Sequence, residues 1–232
     1  MRLTAFEHGT ERDGSTGLLP RPPRFMGYTR SMPTRSPAGR EIEVKVRVLD
    51  VAGLLQRFRR LGARSRGRVF ERNVLFDTPD SRFRHSGRLL RVRVEVPAPV
   101  KGLRAGRGGA KLTFKAPSKV GLKSRYKENL EREVPLHQPG RFERKLRSLG
   151  FVSGFTYEKY RAAFRLGDLH LDLDQTPVGV FLELEGTSQA IDRAAGAMGF
   201  EARDYIRSTY WDLYVAECRR RGQIPRNMVF DV

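Results

Sequence analysis

The chain has 232 residues, 39% of them hydrophobic and 31% charged, and a formal net charge of +19. That length supports one sizeable domain or two small ones, and the charge points to an anionic partner: nucleotide, polyphosphate, nucleic acid or membrane surface. A single cysteine, Cys218, excludes an internal disulfide and fits a reducing, cytoplasmic setting, while no apolar run is long enough for a spanning helix.

Residues 1–39 are rich in Pro, Gly, Ser, Thr and Arg and show no hydrophobic period, so they are expected to form a disordered extension. Glu7, Glu11 and Asp13 argue against a transit peptide, and Met26 or Met32 offers an alternative start. From residue 40 to 220 the pattern is that of one domain, followed by a tail over 221–232. Glu41-Ile42-Glu43-Val44-Lys45-Val46-Arg47 alternates charged and apolar residues, which predicts a strand. Val51, Leu54, Leu55, Phe58 and Leu61 have helical spacing, and Gly62 supplies a stop. Strands are expected over 69–77, 88–96 and 110–116, with Pro97–Gly109 as a flexible basic loop. Further strands fit 126–134, 155–165, 168–174 and 180–185. Helices fit 139–149, 188–198 and 204–220.

Three times a strand holding Glu-x-Glu leads into a helix that ends in an aliphatic residue and Gly. The copies are Glu41/Glu43 with Leu61-Gly62, Glu131/Glu133 with Leu149-Gly150, and Glu183/Glu185 with Met198-Gly199. Helices commonly end at Gly; the sharper account is a repeated strand–helix unit that brings three carboxylate pairs together.

Side chains alternate faces along a strand. On one face fall Glu41, Glu43, Lys45 and Arg47; then Arg91, Arg93 and Glu95; then Lys111, Thr113 and Lys115. The later strands add Lys127, Asn129, Glu131 and Glu133, then Lys159 and Arg161, Asp172 and Asp174, and Glu183 and Glu185. Opposite them fall Ile42, Val44, Val46 and Val48; Leu90, Val92 and Val94; Leu112 and Phe114; Leu130 and Val134; Tyr160; Leu171 and Leu173; and Leu182 and Leu184. An ordinary half-buried sheet would also alternate, but its wet face would mix in Ser, Thr and Gln, and its signs would not be grouped by strand. A closed barrel can turn the charged face inward and let helices cover the apolar face. A triphosphate carries about four negative charges near neutral pH, which Arg and Lys can neutralise. Oxygen ligands on neighbouring strands suit Mg²⁺ or Mn²⁺. Without a cation the carboxylates would repel one another, so neutralising Glu43 would stabilise the metal-free protein. His170 shares this face with Asp172 and Asp174 and is expected at the rim. Gly106-Arg107-Gly108-Gly109 is read as a hairpin rather than a phosphate loop.

The run Glu41-Ile42-Glu43-Val44-Lys45 resembles the ExExK signature of the CYTH superfamily, the triphosphate tunnel metalloenzymes. The segments Glu71–Asp80, Gly87–Arg93, Leu112–Lys115, Glu158–Arg161 and Leu173–Glu185 are similar to its later motifs in order. Tyr205-Ile206 and Tyr210-Trp211-Asp212-Leu213 resemble a C-terminal helix of the class IV adenylate cyclase branch. The resemblance covers roughly residues 40 to 217. It implies an α+β fold, an eight-stranded antiparallel tunnel with helices outside. It also implies an activity: ATP to cyclic AMP and pyrophosphate, or hydrolysis of inorganic or thiamine triphosphate. It carries metal ligation to Glu41, Glu43 and Glu183, supported by Glu185 and Glu131. It carries triphosphate binding to Lys45, Arg91, Arg93, Lys115, Lys159 and Arg161, with Glu41, Glu43 and Lys45 catalytic. Lys127 and Asn129 depart from a common R-x-E, and Gln175 stands where Glu is frequent. A non-catalytic RNA or polyphosphate binder is the reading from another class. Paired carboxylates count against it, although the +19 charge suits nonspecific nucleic-acid contact.

Overall fold

The computed structural model describes residues 39–118 and 124–231; of the expected extension over 1–39, residues 1–38 lie outside the described residues and Gly39 opens the first strand. The elements in chain order are β1 (Gly39–Val48), α1 (Val51–Leu61), β2 (Arg64–Asp77), α2 (Arg82–His85), β3 (Leu89–Pro97), β4 (Gly109–Pro117) and β5 (Lys127–Pro135). There follow α3 (Pro139–Ser148), β6 (Val152–Leu166), β7 (Leu169–Thr176), β8 (Gly179–Glu185), α4 (Ser188–Ala197) and α5 (Tyr210–Arg220). The strands close into an antiparallel barrel in the order β1-β5-β4-β3-β2-β6-β7-β8 and back to β1. The fold is α+β, an eight-stranded barrel with helices on its outside, as the resemblance implies.

The apolar faces of the strands turn outward, mostly under helices, while Leu130 and Val134 of β5 stay exposed and Phe70 and Tyr160 pack with Phe230 near the C-terminus. Val44 and Val46 of β1, Leu171 of β7 and Leu182 and Leu184 of β8 are buried beneath Leu54 and Phe58 of α1 and Ile191 and Met198 around α4. On the other flank Val74, Phe76, Leu90 and Val92 pack with Leu146 of α3. Each helix has a local reason to start and stop. The Asp50 carboxylate accepts from the Gly53 N–H at 2.8 Å, and Gly62 ends α1 in the left-handed conformation (φ 78°), which glycine adopts without strain.

The three Glu-x-Glu units are real structural repeats. They are β1–α1, β5–α3 and β8–α4, and each helix is followed by a left-handed glycine: Gly62, Gly150 and Gly199. Because β1 pairs with both β5 and β8, the three carboxylate strands are consecutive in the barrel.

Two elements differ from expectation. The last helix begins at Tyr210 instead of residue 204. Thr209 and Asp212 form a reciprocal capping box there, and just upstream the Ile206 N–H donates to the Lys45 carbonyl at 2.7 Å, holding the chain extended across β1. The short helix α2 was not anticipated. Asp77 nucleates it by accepting from the N–H groups of Thr78, Phe83 and Arg84 at 2.7, 2.9 and 3.0 Å. The Pro97–Gly109 loop is laid on β2, where the Gly106 N–H donates to the Arg68 carbonyl and a Cβ at Gly106 would meet Val69. At the far end of the chain, Met228 is buried on β6 and exchanges backbone hydrogen bonds with Thr156 and Glu158.

Asp77 supports one prediction. Burial would raise its pKa, but the backbone N–H groups of Phe83, Arg84 and Thr78 outweigh that and hold it below the ordinary aspartate value. Its folded pKa is depressed, so its contribution is present above the unfolded value and lost on acidification. Asp77→Asn should lower stability by about 1–2 kcal/mol near neutrality. Melting curves should show the gap to wild type narrowing below about pH 3.9; a gap independent of pH would contradict this role.

Candidate active site

The charged face lines one cavity of about 870 Å³ inside the barrel. Every residue assigned a ligand role from sequence borders it: Glu41, Glu43, Lys45, Arg91, Arg93, Lys115, Glu131, Lys159, Arg161, Glu183 and Glu185. On the acidic side, strand register places Glu43 against Lys127 and Glu185, and Lys45 against Glu183. Lys115 reaches both Glu41 and Glu131 at 2.6 Å, so one ammonium serves two carboxylates. Burial, with Glu43 and Glu131 adding repulsion, outweighs Lys115 and pushes the Glu41 carboxyl up to about 8. Glu43 behaves oppositely: against the same burial, Lys127 and Lys115 hold it at about 2. Burial also raises Glu185, and lifts Asp172 to about 6 in spite of Arg161.

The cationic side is built on β3 and β6. Arg91 donates to the Tyr157 hydroxyl at 3.0 Å and to Thr113 Oγ1 at 3.2 Å. Arg93 donates to Asn73 Oδ1 at 3.0 Å and pairs with Glu71 at 3.3 Å. Lys159 and Arg161 share Asp174, each at 2.7 Å, and the Tyr210 hydroxyl donates to the same carboxylate at 2.8 Å. Two buried donors on residues that border the cavity, Arg91 Nε and Asn129 Nδ2, have no hydrogen-bond partner among the described residues. Unsatisfied buried donors are costly, and an anionic ligand in the cavity would supply their acceptors.

Sequence reasoning missed the centre of the cationic wall. Glu71 is fully buried and lies within 3.3–3.6 Å of Arg93, Lys159 and Arg161. Burial alone would keep it neutral, but Arg93, Lys159 and Arg161 hold its pKa far below the carboxylate range. The alternation Glu71, Asn73 on β2 was the available signal. Asp174 and Tyr210 were likewise assigned no part. Two residues singled out by the sequence stand aside: Arg47 stacks on Phe181 with its guanidinium donating to the Val178 carbonyl, and Gln175 faces outward to Arg68. His170 sits at the cavity rim beside Arg165.

A model of the CYTH domain matches residues 39–207.

The chain belongs to the CYTH family.

A Methanocaldococcus jannaschii protein provisionally named an adenylate cyclase is similar to it, 26% identical over 146 residues that cover 62% of this chain and 75% of that one. A Pyrococcus horikoshii protein of known structure is 26% identical, with a TM-score of 0.60 over 75% of this chain and 98% of that one. A Hippeastrum protein provisionally named an adenylyl cyclase, whose structure is described with a dominant triphosphatase activity, shares the fold. It has 16% identity and a TM-score of 0.52, over 80% of this chain and 97% of that one.

In this CYTH tunnel the acidic side suits a divalent cation. Its donors are hard carboxylate oxygens from three adjacent strands. Among the described residues no three acidic or histidine side chains already converge as a finished cage. Instead the Lys115 ammonium stands between Glu41 and Glu131, and Lys127 leans on Glu43 at 3.2 Å. These lysines supply the countercharge for the same oxygens.

Proposed function

We propose that this chain is a divalent-metal-dependent enzyme acting on a triphosphate in the tunnel, of the class IV adenylate cyclase type, converting ATP to cyclic AMP and pyrophosphate. One observation carries the reading: a cavity inside the closed barrel sets carboxylates of β5, β1 and β8 against guanidinium and ammonium groups of β3, β4 and β6. A solvated sheet face would not be enclosed, and a plain RNA or polyphosphate binder would gain nothing from paired carboxylates.

In this reading Arg91, Arg93, Lys159 and Arg161 neutralise the triphosphate oxygens from one side, and Lys45 and Lys115 from the other. Arg91 offers its unpartnered Nε, with Tyr157 and Thr113 fixing the guanidinium plane. Glu41, Glu43 and Glu183, with Glu185 and Glu131 beside them, would hold Mg²⁺ or Mn²⁺. When bound, such a cation would supply Lewis-acid stabilisation of the charge that develops on the phosphate. The chain itself supplies position and a preorganised field. Lys45, 3.1 Å from Glu183 and 4.3 Å from the Tyr210 ring centroid, is held at the junction of the two sides.

A second reading on the same scaffold is hydrolysis at the terminal phosphorus, supported by the activity described for the Hippeastrum relative. Product analysis separates the two. The full chain, incubated with ATP, tripolyphosphate or thiamine triphosphate and Mg²⁺ or Mn²⁺, should yield cyclic AMP and pyrophosphate from ATP. ADP and phosphate would move the assignment to the triphosphatase; no turnover of any substrate would overturn both. Chelation of the metal should stop turnover, and undiminished activity afterwards would sink the metal assignment.

A further inference from the structure

A second cavity, of about 560 Å³, is bordered by α1, β6, β7 and the tip of the Pro97–Gly109 loop, and shares no bordering residue with the tunnel. Val51, Leu55, Ala63, Leu103 and Val180 line it as half-buried side chains against the core beneath α1. The loop tip is held in a tight turn: Val100 and Leu103 exchange backbone hydrogen bonds of 3.1 and 2.9 Å around Gly102, at φ 83°. The polar corner is Arg68, only 7% exposed, whose guanidinium lies 4.1 Å from the Tyr160 ring centroid. It donates to the Ala98 carbonyl at 3.0 Å and to Gln175 Oε1 at 3.3 Å, both neutral acceptors. Among the described residues no carboxylate pairs with it, and the charged residues bordering the cavity are all cations: Arg59, Arg68 and Lys101. A buried charge without a countercharge is costly. Burial accordingly pulls the Arg68 pKa below its ordinary value, with the Tyr160 phenol offsetting only part.

We propose that this cavity is a second ligand site, outside the tunnel, for a small aliphatic carboxylate whose head pairs with Arg68 and whose chain lies along Leu55 and Leu103. Two of the five guanidinium N–H groups are engaged, so the fork still has donors for an incoming carboxylate. An apolar cavity of this size with a few convergent polar groups is the usual form of a small-molecule site. One buried cation calls for a monoanion, and the aliphatic walls exclude a polyphosphate. The exposed Arg59 and Lys101 at the margin add attraction for an anion. Gln175 keeps the site open: a carboxylate at that position would complete an internal ion pair with Arg68, whereas the amide leaves the charge uncompensated.

The test titrates octanoate into the full chain by calorimetry, with and without tripolyphosphate and Mg²⁺, and repeats it with 1-octanol. Wild type, Arg68→Gln and Gln175→Glu are compared, each with its melting curve. Octanoate should bind one saturable site that tripolyphosphate does not disturb. Both substitutions should weaken it about ten- to a hundred-fold, the range for losing a charge-assisted hydrogen bond. Gln175→Glu gives Arg68 an internal partner and should melt no lower than wild type, so its loss of binding is no loss of fold. That variant decides alone if Arg68→Gln does not fold. The uncharged octanol should bind at least about ten-fold more weakly than octanoate. Absence of saturable octanoate binding overturns the site. So does displacement by tripolyphosphate, wild-type affinity in Gln175→Glu, or octanol binding as tight as octanoate.

Discussion

Glu43→Gln is expected to reduce turnover by a factor on the order of 10²–10³, the range for removing one electrostatic element of a preorganised site, while the barrel still folds. Glu43 faces the cavity from β1 between Lys127 and Glu185. The amide keeps its shape and removes an anionic oxygen, so the melting shift produced by Mn²⁺ should shrink, because binding to the native state adds stability by mass action. In the metal-free protein the structure reverses the effect that carboxylate repulsion alone would give. Lys127 and Lys115 hold Glu43 at about 2 against burial, so it is a favourable charge in the metal-free tunnel. Its neutralisation should lower the metal-free melting temperature slightly instead of raising it. Relief of repulsion belongs to Glu41, which shares Lys115 with Glu131. Glu41→Gln should therefore melt no lower than wild type without metal and also lose part of the Mn²⁺ shift. An active Glu43→Gln protein with an undiminished shift would show that Glu43 is no ligand.

Arg93→Ala should cost about 3–5 kcal/mol of folding stability, the cost of breaking a buried ion pair and stranding its partner. Glu71 is the partner, fully enclosed, and it would keep Lys159 and Arg161 at 3.6 Å each and the Asn73 amide at 3.4 Å. Arg91→Ala should behave differently, because Arg91 leans on the neutral hydroxyls of Tyr157 and Thr113, with Glu133 as far as 3.9 Å. Its loss should change stability by about 1 kcal/mol and weaken triphosphate binding by about 1.5–3 kcal/mol. Urea unfolding with tripolyphosphate titrations on both variants checks the contrast. Equal stability losses would mean that Glu71 does not depend on Arg93.

Much of this was legible before the structure. Strict alternation in 41–47, 88–96 and 110–116 marked strands whose charged and apolar faces serve different solvents, and the ligand candidates all fell on the charged face. The Glu-x-Glu repeats foretold three carboxylate strands; that β1 pairs with both others is a matter of topology, which periodicity does not encode. Glu71 escaped because a single carboxylate among Arg72 and Asn73 looks like ordinary surface charge; only the register of β2 with β3 and β6 surrounds it with three cations. The boundary of α5 was misplaced because Thr209 and Asp212 cap it more strongly than the apolar spacing upstream could extend it. The aromatic end of the tunnel was hidden since Phe155 and Tyr157 carry no charge to mark their face, and Trp211 arrives from a distant helix.

The two charged sides of the tunnel should act together on a single triphosphate, one through a metal and one directly. Calorimetric titration of tripolyphosphate into the full chain, with Mn²⁺ and after chelation, tests this most directly. One site per chain is predicted, with an affinity that rises with metal by a coupling of about 1–3 kcal/mol, lost in Glu43→Gln and weakened in Arg91→Ala. Binding that is indifferent to metal and to both substitutions would contradict it.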